Sequence, residues 1–103
     1  MIAIKRTDEF AAWFDAIKDR VVKQRLSARL RKASLGNFGD VGPVGEGISE
    51  FREHFGAGWR MYFVQRGQML IVLLGGGTKA TQTADIRRAK AVAMTLEEEE
   101  KRP

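Results

Sequence analysis

The chain of 103 residues contains no cysteine and a single histidine. Without cysteine, neither a disulfide framework nor a thiolate metal site can form, and one imidazole is too few for the common zinc ligand sets. The longest apolar run, residues 69–74, is too short to cross a bilayer, and the first residues lack the hydrophobic segment of a secretion signal. We therefore expect a soluble, intracellular protein of the cytoplasm that uses no metal, no cofactor and no membrane.

The residues that are present suffice for one hydrophobic core and carry an excess of positive charge. Hydrophobic residues make up 44% of the chain, which is enough for one globular domain without crosslinks. The net charge is +5 and residues 97–103 contribute −2 to it, so residues 1–96 carry +7. This basic body favours an anionic partner, most simply nucleic acid, although solubility alone would also explain it. We assign residues 1–96 to one domain and residues 97–103 to a solvated, frayed acidic tail.

Hydrophobic periodicity predicts an α+β fold with the element order β-α-α-β-β-β-α. Thr7 is a suitable N-cap for a first helix, and a second helix is predicted over residues 19–35. Thr81 or Thr83 is expected to cap a last helix. The predicted fold is a mostly antiparallel four-stranded sheet with two N-terminal helices on it and a C-terminal helix. The apolar stripe of the first helix consists of Phe10, Trp13, Phe14 and Ile17.

The second helix has one apolar face and is otherwise strongly cationic. Its predicted core residues are Val22, Leu26, Leu30 and Ala33. Its other faces carry Lys18, Arg20, Lys23, Arg25, Arg29, Arg31 and Lys32. A solvated helix surface explains such a stripe, and RNA or an acidic partner could use the same charges.

Two glycine-rich segments are predicted to lack regular structure. Residues 37–47 hold four glycines and a proline without a sustained period, which favours a connector. Residues 75–79 predict a flexible loop that ends in Lys79. The apolar residues before this loop predict a central strand over residues 68–74, covered on both faces, with the last helix above Ile71 and Leu73.

Residues 50–63 predict a β-hairpin with a Gly-Ala-Gly turn at residues 56–58. The expected cross-strand pairs are Phe55 with Trp59, His54 with Arg60 and Arg52 with Tyr62. Because side chains alternate along a strand, one face of the hairpin becomes polar and the other apolar. The polar face is expected to hold Glu50, Arg52, His54, Arg60 and Tyr62, and the apolar face Phe51, Phe55, Trp59, Met61 and Phe63.

Five sequence phrases occur in the order and spacing of one toxin superfamily. They are Thr-Asp-Glu-Phe at residues 7–10, Leu-Gly-Asn-Phe-Gly-Asp at 35–40, Gly-Glu-Gly-Ile-Ser-Glu at 45–50, Gly-Trp-Arg-Met-Tyr-Phe at 58–63 and Gly-Gly-Thr-Lys-Ala-Thr-Gln at 76–82. Over residues 7–92 the chain resembles the RelE/ParE toxin superfamily, and within it the addiction-module killer proteins close to the HigB toxins. The resemblance implies a small RelE-like domain.

The same resemblance implies the toxin of a type II toxin–antitoxin system. Its partner would be a small antitoxin, often of the helix-turn-helix type, in a toxin–antitoxin hetero-oligomer. Many relatives cleave mRNA in the ribosomal A site, which would make this chain a metal-independent endoribonuclease that acts on the ribosome and mRNA. ParE-type relatives instead poison DNA gyrase, and a non-catalytic RNA-binding module is a third interpretation.

Metal-free RNA cleavage by a ribose 2′-hydroxyl needs a proton acceptor, cations at the phosphate and a proton donor. The resemblance implies a phosphate-binding role for Arg60, which follows the hairpin turn, and a basic role for Lys79 after the last strand. Arg52 would add a second guanidinium for the phosphate. His54 or Glu50 would handle protons.

These side chains also have ordinary structural alternatives. They are an ion pair of Arg60 with Glu50 or Glu53, orientation of Arg52 by Glu50, and plain surface roles for His54 and Lys79. Tyr62 either stacks on an RNA base or fills the groove beneath the last helix. Several ribonucleolytic relatives end in a catalytic tyrosine, whereas this chain has no aromatic residue after Phe63 and carries Asp85 in that region. The proton donor would then be Lys79 or His54, or the activity differs.

Overall fold

Residues 1–102 of the computed structural model form five strands and three α-helices, and Pro103, the last residue of the predicted acidic tail, lies outside the described residues. In chain order the elements are β1 (Ala3–Arg6), α1 (Asp8–Asp15), α2 (Arg20–Ser34), β2 (Val41–Gly45), β3 (Ile48–Arg52), β4 (Trp59–Arg66), β5 (Leu70–Thr78) and α3 (Gln82–Glu100). A 3-10 turn, Lys79–Thr81, joins β5 to α3. No helix within residues 1–102 combines the length and apolarity needed to cross a membrane.

The five strands form one mixed sheet in the order β1-β5-β4-β3-β2. The strand pair β1–β5 is parallel and the other three pairs are antiparallel. The α+β class is confirmed, but the predicted four-stranded sheet lacks one strand. The missing strand is β2, which lies inside the segment predicted as a connector. Its glycines and Pro43 are typical of loops, so the sequence pattern did not indicate a strand. Proline is tolerated here because β2 lies at the edge of the sheet.

Side-chain caps fix the first two helices at the predicted places. The Thr7 hydroxyl accepts a hydrogen bond from the Phe10 amide at 3.1 Å, and the Asp19 carboxylate accepts one from the Val21 amide at 2.9 Å. Both caps satisfy amide groups that the first turn of a helix leaves free. Thr7 also donates its hydroxyl to the Leu73 carbonyl at 2.7 Å, so the start of α1 is tied to β5 where β1 ends.

Each face of the sheet has its own apolar core. The face beneath α1 and α2 holds Phe10, Val22, Leu26, Ala33, Phe51, Met61, Phe63, Ile71 and Leu73. The face beneath α3 holds Ile48, Tyr62, Val64, Val72, Leu74 and Ala89. The predicted core faces of α2 and of the hairpin are confirmed. The predicted position of α3 above Ile71 and Leu73 is wrong, because a continuous apolar run contains no polar residue that marks its two faces.

The glycine run after the core of β5 is strand rather than the predicted flexible loop. β5 continues to Thr78, with Gly77 opposite Arg60 and Gly76 opposite Met61. A Cβ on Gly76 would overlap the Trp13 ring, and a Cβ on Gly77 would overlap the Asp85 carboxylate. Glycine is required here because large side chains lie directly on the backbone from both faces.

The acidic stretch at the end of the chain is helical as far as Glu100. α3 includes the four consecutive glutamates, residues 97–100. Arg66 at the end of β4 forms an ion pair of 3.2 Å with Glu100. The contact joins the last described turn of α3 to the sheet.

Gly76→Ala should lower the free energy of unfolding by about 1–3 kcal/mol, because the new methyl group forces the Trp13 ring away from the strand. Gly75→Ala is the matched control, since no atom lies within 4 Å of a Cβ at that position. Its expected effect is below about 0.5 kcal/mol. Urea unfolding of both variants measures the difference, and equal stabilities would contradict the contact between Trp13 and Gly76.

Candidate functional site

The β3–β4 hairpin has a longer loop than its sequence predicts. Glu50 pairs with Tyr62 and Arg52 with Arg60, and residues 53–58 form the loop. The three predicted cross-strand pairs are therefore wrong by a shift of two residues. A shift of two keeps every side chain on its face, so these four residues still share one face as predicted. His54 is the exception, because it lies in the loop and not in the strand.

The carboxylate of Glu50 lies at the centre of this polar face. Only 3% of the residue is exposed. Its Oε2 accepts a hydrogen bond from Arg52 Nε at 2.9 Å, and its Oε1 accepts one from Gln82 Nε2 at 2.8 Å. Arg60 Nε lies 3.9 Å from Oε1. Since both oxygens are occupied, the geometry gives Glu50 the role of orienting Arg52 rather than that of a free proton acceptor.

Arg60 is closed off from solvent in this arrangement. The residue is 6% exposed, and its Nη1 donates to the Glu53 carbonyl at 3.2 Å and to the Trp59 carbonyl at 3.1 Å. The predicted ion pair with Glu50 is present at long distance, whereas Glu53 contributes its backbone. A phosphate can reach the Arg60 guanidinium only if these contacts open.

Tyr62 fills the groove beneath α3 and is fully buried. Among residues 1–102, its hydroxyl has no hydrogen-bond partner. Burial raises the pKa of Tyr62, the carboxylates of Glu50 and Asp85 raise it further, and Arg60 offsets part of this rise. Of the two predicted roles the structure gives packing, because a ring covered by α3 cannot stack on a base.

Asp40 links the buried carboxylate to the exposed histidine. Arg52, bound to Glu50, also donates from Nη1 to Asp40 Oδ1 at 3.5 Å. The other carboxylate oxygen of Asp40 lies 2.6 Å from His54 Nε2. The His54 side chain is 70% exposed. A continuous series of polar contacts therefore runs from Gln82 to an imidazole in solvent.

The contacts of Asp40 favour the ionised form of its carboxyl group. The hydrogen bond from His54 is the main cause that holds the pKa of Asp40 below its ordinary value, and the charge of Arg52 adds to it. Sequence reasoning missed Asp40 as a site residue, because it fell in the segment predicted as a connector. The missing signal was the strand β2, since the Asp40 carbonyl accepts a hydrogen bond from the Arg52 amide at 3.0 Å, next to the β2–β3 pairing.

Lys79 lies at the hairpin loop, beyond the end of β5. Its amide donates to the Gly58 carbonyl at 2.8 Å. A Cβ built on Gly58 would lie 3.2 Å from Lys79 Cβ and 3.7 Å from Arg60 Nη1, so the two cations flank this glycine. The Lys79 side chain is exposed. The structure therefore brings Lys79 to the same loop that carries His54.

Asp85, in the region where the toxin resemblance led us to look for an aromatic residue, is buried. Its carboxylate accepts hydrogen bonds from Thr81 Oγ1 and, at 3.0 Å, from Arg88 Nη2. Both oxygens are engaged, which indicates a structural role at the start of α3. Within residues 1–102, no three histidine, aspartate or glutamate side chains come close enough to hold a metal ion.

The cationic surface of α2 divides into two parts. Arg29, predicted on the solvated stripe, is instead buried, and its guanidinium donates to backbone carbonyls. On another face of α2, an open cleft of about 460 Å³ lies between α2 and α1. None of the residues that line the cleft is acidic. Its four cations are Lys18, Arg20, Lys23 and Arg31. A surface with this charge attracts anions in general, and the anionic partner stays a prediction.

Comparison with known proteins finds a relative of nearly the same length. The chain is 40% identical over 95 residues to an uncharacterized protein of Haemophilus influenzae (strain ATCC 51907 / DSM 11121 / KW20 / Rd), in an alignment that covers 92% of this chain and 96% of that protein. No protein-family model matches the sequence, and no solved structure matches it.

The Asp40–His54 contact predicts a change in titration. His54→Ala should raise the pKa of Asp40 toward its ordinary value of 3.8, because the main cause that lowers it is removed. The lowered pKa of Asp40 contributes stability that is present above the unfolded pKa and is lost as the pH falls through the folded pKa. Carbon NMR of the carboxyl group measures the midpoint. An unchanged midpoint in His54→Ala would contradict the contact.

Proposed function

We propose that this chain, which belongs to the same family as the uncharacterized Haemophilus influenzae protein, is the toxin of a type II toxin–antitoxin system and cleaves mRNA on the ribosome. The resemblance to the RelE/ParE toxins supports the class of protein. The observation that carries the chemistry is the Asp40–His54 pair, an exposed imidazole bound to a carboxylate beside the Arg52 guanidinium. A histidine held in this way is suited to move a proton next to a phosphate.

The hydrogen bond to Asp40 determines which nitrogen of His54 would react. An ionised carboxylate can only accept a hydrogen bond, so Nε2 carries the proton and donates it in the hydrogen bond to Asp40, and in the neutral ring Nδ1 has the free lone pair. In the proposed reaction Nδ1 takes the proton of the ribose 2′-hydroxyl while the 2′ oxygen attacks the adjacent phosphorus. The bond from phosphorus to the 5′ oxygen breaks, and the products are a 2′,3′-cyclic phosphate and a 5′-hydroxyl end.

Two cations, the partly exposed Arg52 and the exposed Lys79, are available for the other parts of the reaction. Arg52 is one third exposed, and its contact with Glu50 keeps the pKa of Arg52 above its ordinary value. It can therefore present charge to the phosphate throughout the reaction. Lys79, across the loop, would donate the proton to the departing 5′ oxygen. Arg60 would not contact the phosphate. Its role would be indirect, because it lies beside the Glu50 carboxylate that holds Arg52 in place.

The basic cleft between α1 and α2 supports an RNA partner for this protein. Four cations without a lining carboxylate provide the kind of surface to which phosphate backbones bind. The proposed partners are thus the ribosome and mRNA, and a cognate antitoxin of helix-turn-helix type in a hetero-oligomer. The place of action would be the cytoplasm.

One observation favours a second candidate, a ParE-like poison of DNA gyrase. Arg60 and Tyr62, which the RNase interpretation assigns to the substrate, are both buried. A toxin that acts by protein contact would not need them exposed. A non-catalytic RNA-binding module would likewise keep the basic cleft without using His54.

Induction of the chain alone should arrest growth, and His54→Ala should lower mRNA cleavage by about 10²–10⁴-fold, the usual contribution of a general base. The substitution should leave the fold intact, since the side chain is largely exposed. Primer extension on cellular mRNA measures the cuts. Gln68→Ala, an exposed polar residue in the β4–β5 turn, is the matched control and should cleave like the wild type.

The same induced cells separate the candidates. New A-site cuts that disappear in His54→Ala support the RNase. Intact mRNA together with inhibition of purified gyrase in a supercoiling assay would replace it with the poison. Normal growth with abundant folded protein that binds RNA would leave only the binding module.

Lys79→Arg tests the proton donor, because arginine keeps the positive charge but cannot give up a proton in a protein. We expect RNA binding within about twofold of the wild type and a loss of cleavage of about 10²-fold or more. Lys79→Ala, which removes the charge as well as the proton, should weaken RNA binding and lose cleavage. Full cleavage by Lys79→Arg would show that the position supplies charge alone. Filter binding and primer extension provide the two measurements.

A further inference from the structure

Arg29 reaches from the middle of α2 to the backbone that carries the candidate site. Its residue is 9% exposed, and all three of its side-chain nitrogens donate to main-chain carbonyls. Nε donates to Phe38 at 3.0 Å, Nη1 to Arg52 at 2.7 Å and Nη2 to Asp40 at 2.6 Å. These carbonyls belong to the two chain segments that carry Asp40 and His54.

The surroundings of Arg29 are shaped to its planar guanidinium. Gly39 has a φ of +68°, and a Cβ there would lie only 3.1 Å from Arg29 Nη2. The Phe51 ring lies 5.4 Å from the guanidinium carbon. Glu53 Oε1 balances the charge at 3.3 Å from Nη1. The loop before β2 thus wraps around a fixed, fork-shaped donor.

We infer that Arg29 is the positioning residue of the Asp40–His54 pair, which it holds at its working separation by binding the backbone on both sides. The Asp40 carbonyl accepts from Arg29 Nη2, and the Arg52 carbonyl, two residues before His54, accepts from Nη1. The side-chain hydrogen bonds of Arg29 go to backbone carbonyls and its ion pair to Glu53, not to either side chain of the pair. Its effect on cleavage rests on the proposed function, whereas its effect on the geometry does not.

The shape of the guanidinium, rather than its charge, is what this role requires. A lysine at this position keeps a positive charge near Glu53, but its single nitrogen cannot bind three carbonyls that lie in different directions. Arg29→Lys therefore removes the positioning and preserves the ion pair. Glu53→Gln does the reverse, since it removes the ion pair and leaves the three carbonyl contacts.

The test compares three variants by NMR and by melting temperature. Arg29→Lys should fold, shift the pKa of Asp40 upward toward 3.8 and change the ring signals of His54. Glu53→Gln should leave the Asp40 titration close to that of the wild type. Lys32→Arg, at an exposed position on the same helix outside the basic cleft, is the control and should change neither signal. In the cleavage assay Arg29→Lys should lose about 10–100-fold, as found when residues that orient functional groups are replaced.

A folded Arg29→Lys with the wild-type titration of Asp40 would overturn the inference. If Arg29→Lys does not fold, the wild-type protein decides, through scalar couplings across the hydrogen bonds from Arg29 to the carbonyl carbons of Asp40 and Arg52. Their presence supports the inference and their absence overturns it. Failure of the proposed function is distinguishable, because a wild-type chain without cleavage activity leaves the titration experiment unaffected.

Discussion

Because side chains alternate along β3, the carboxylate of Glu50 points into the interior of the protein. An unpaired charge in that position would be strongly unfavourable. Three partners from three elements satisfy it: Arg52 of β3, Gln82 of α3 and, more distantly, Arg60 of β4. The need to pair this one charge therefore fixes the first turn of α3 over the hairpin and turns Arg52 toward Asp40. The exposed end of the site at His54 depends on that orientation.

Much of this arrangement follows from sequence patterns, and the errors have specific physical causes. The polar face of the hairpin was predictable although its register was not, because a slip of two residues leaves the alternation of side chains unchanged. β2 was missed because a glycine- and proline-containing edge strand has the composition of a loop. Arg29 was assigned to solvent because helical periodicity places a residue on a face without revealing what lies opposite that face.

The glycines of β5 show a second limit of sequence reasoning. A run of glycines has no side chains, and this permits either a flexible backbone or a close approach of neighbouring groups to the backbone. Here it serves close approach, since the Trp13 ring covers Gly76 and the Asp85 carboxylate covers Gly77. Which of the two applies depends on long-range contacts between β5 and the helices, and these are not encoded in the local pattern.

The candidate site combines a buried half with an exposed half, and the division has a chemical meaning. Glu50, Arg60 and Arg29 are buried and bound at several atoms, so their charges cannot reorient toward a ligand without breaking contacts. His54 and Lys79 are exposed and lie on the connections at the end of the sheet, where a substrate can approach. Fixed charges that are oriented in advance stabilise a developing charge without reorganisation, whereas proton transfer requires contact with the reacting atoms. The same fold therefore separates the residues that hold the geometry from those that would perform the reaction.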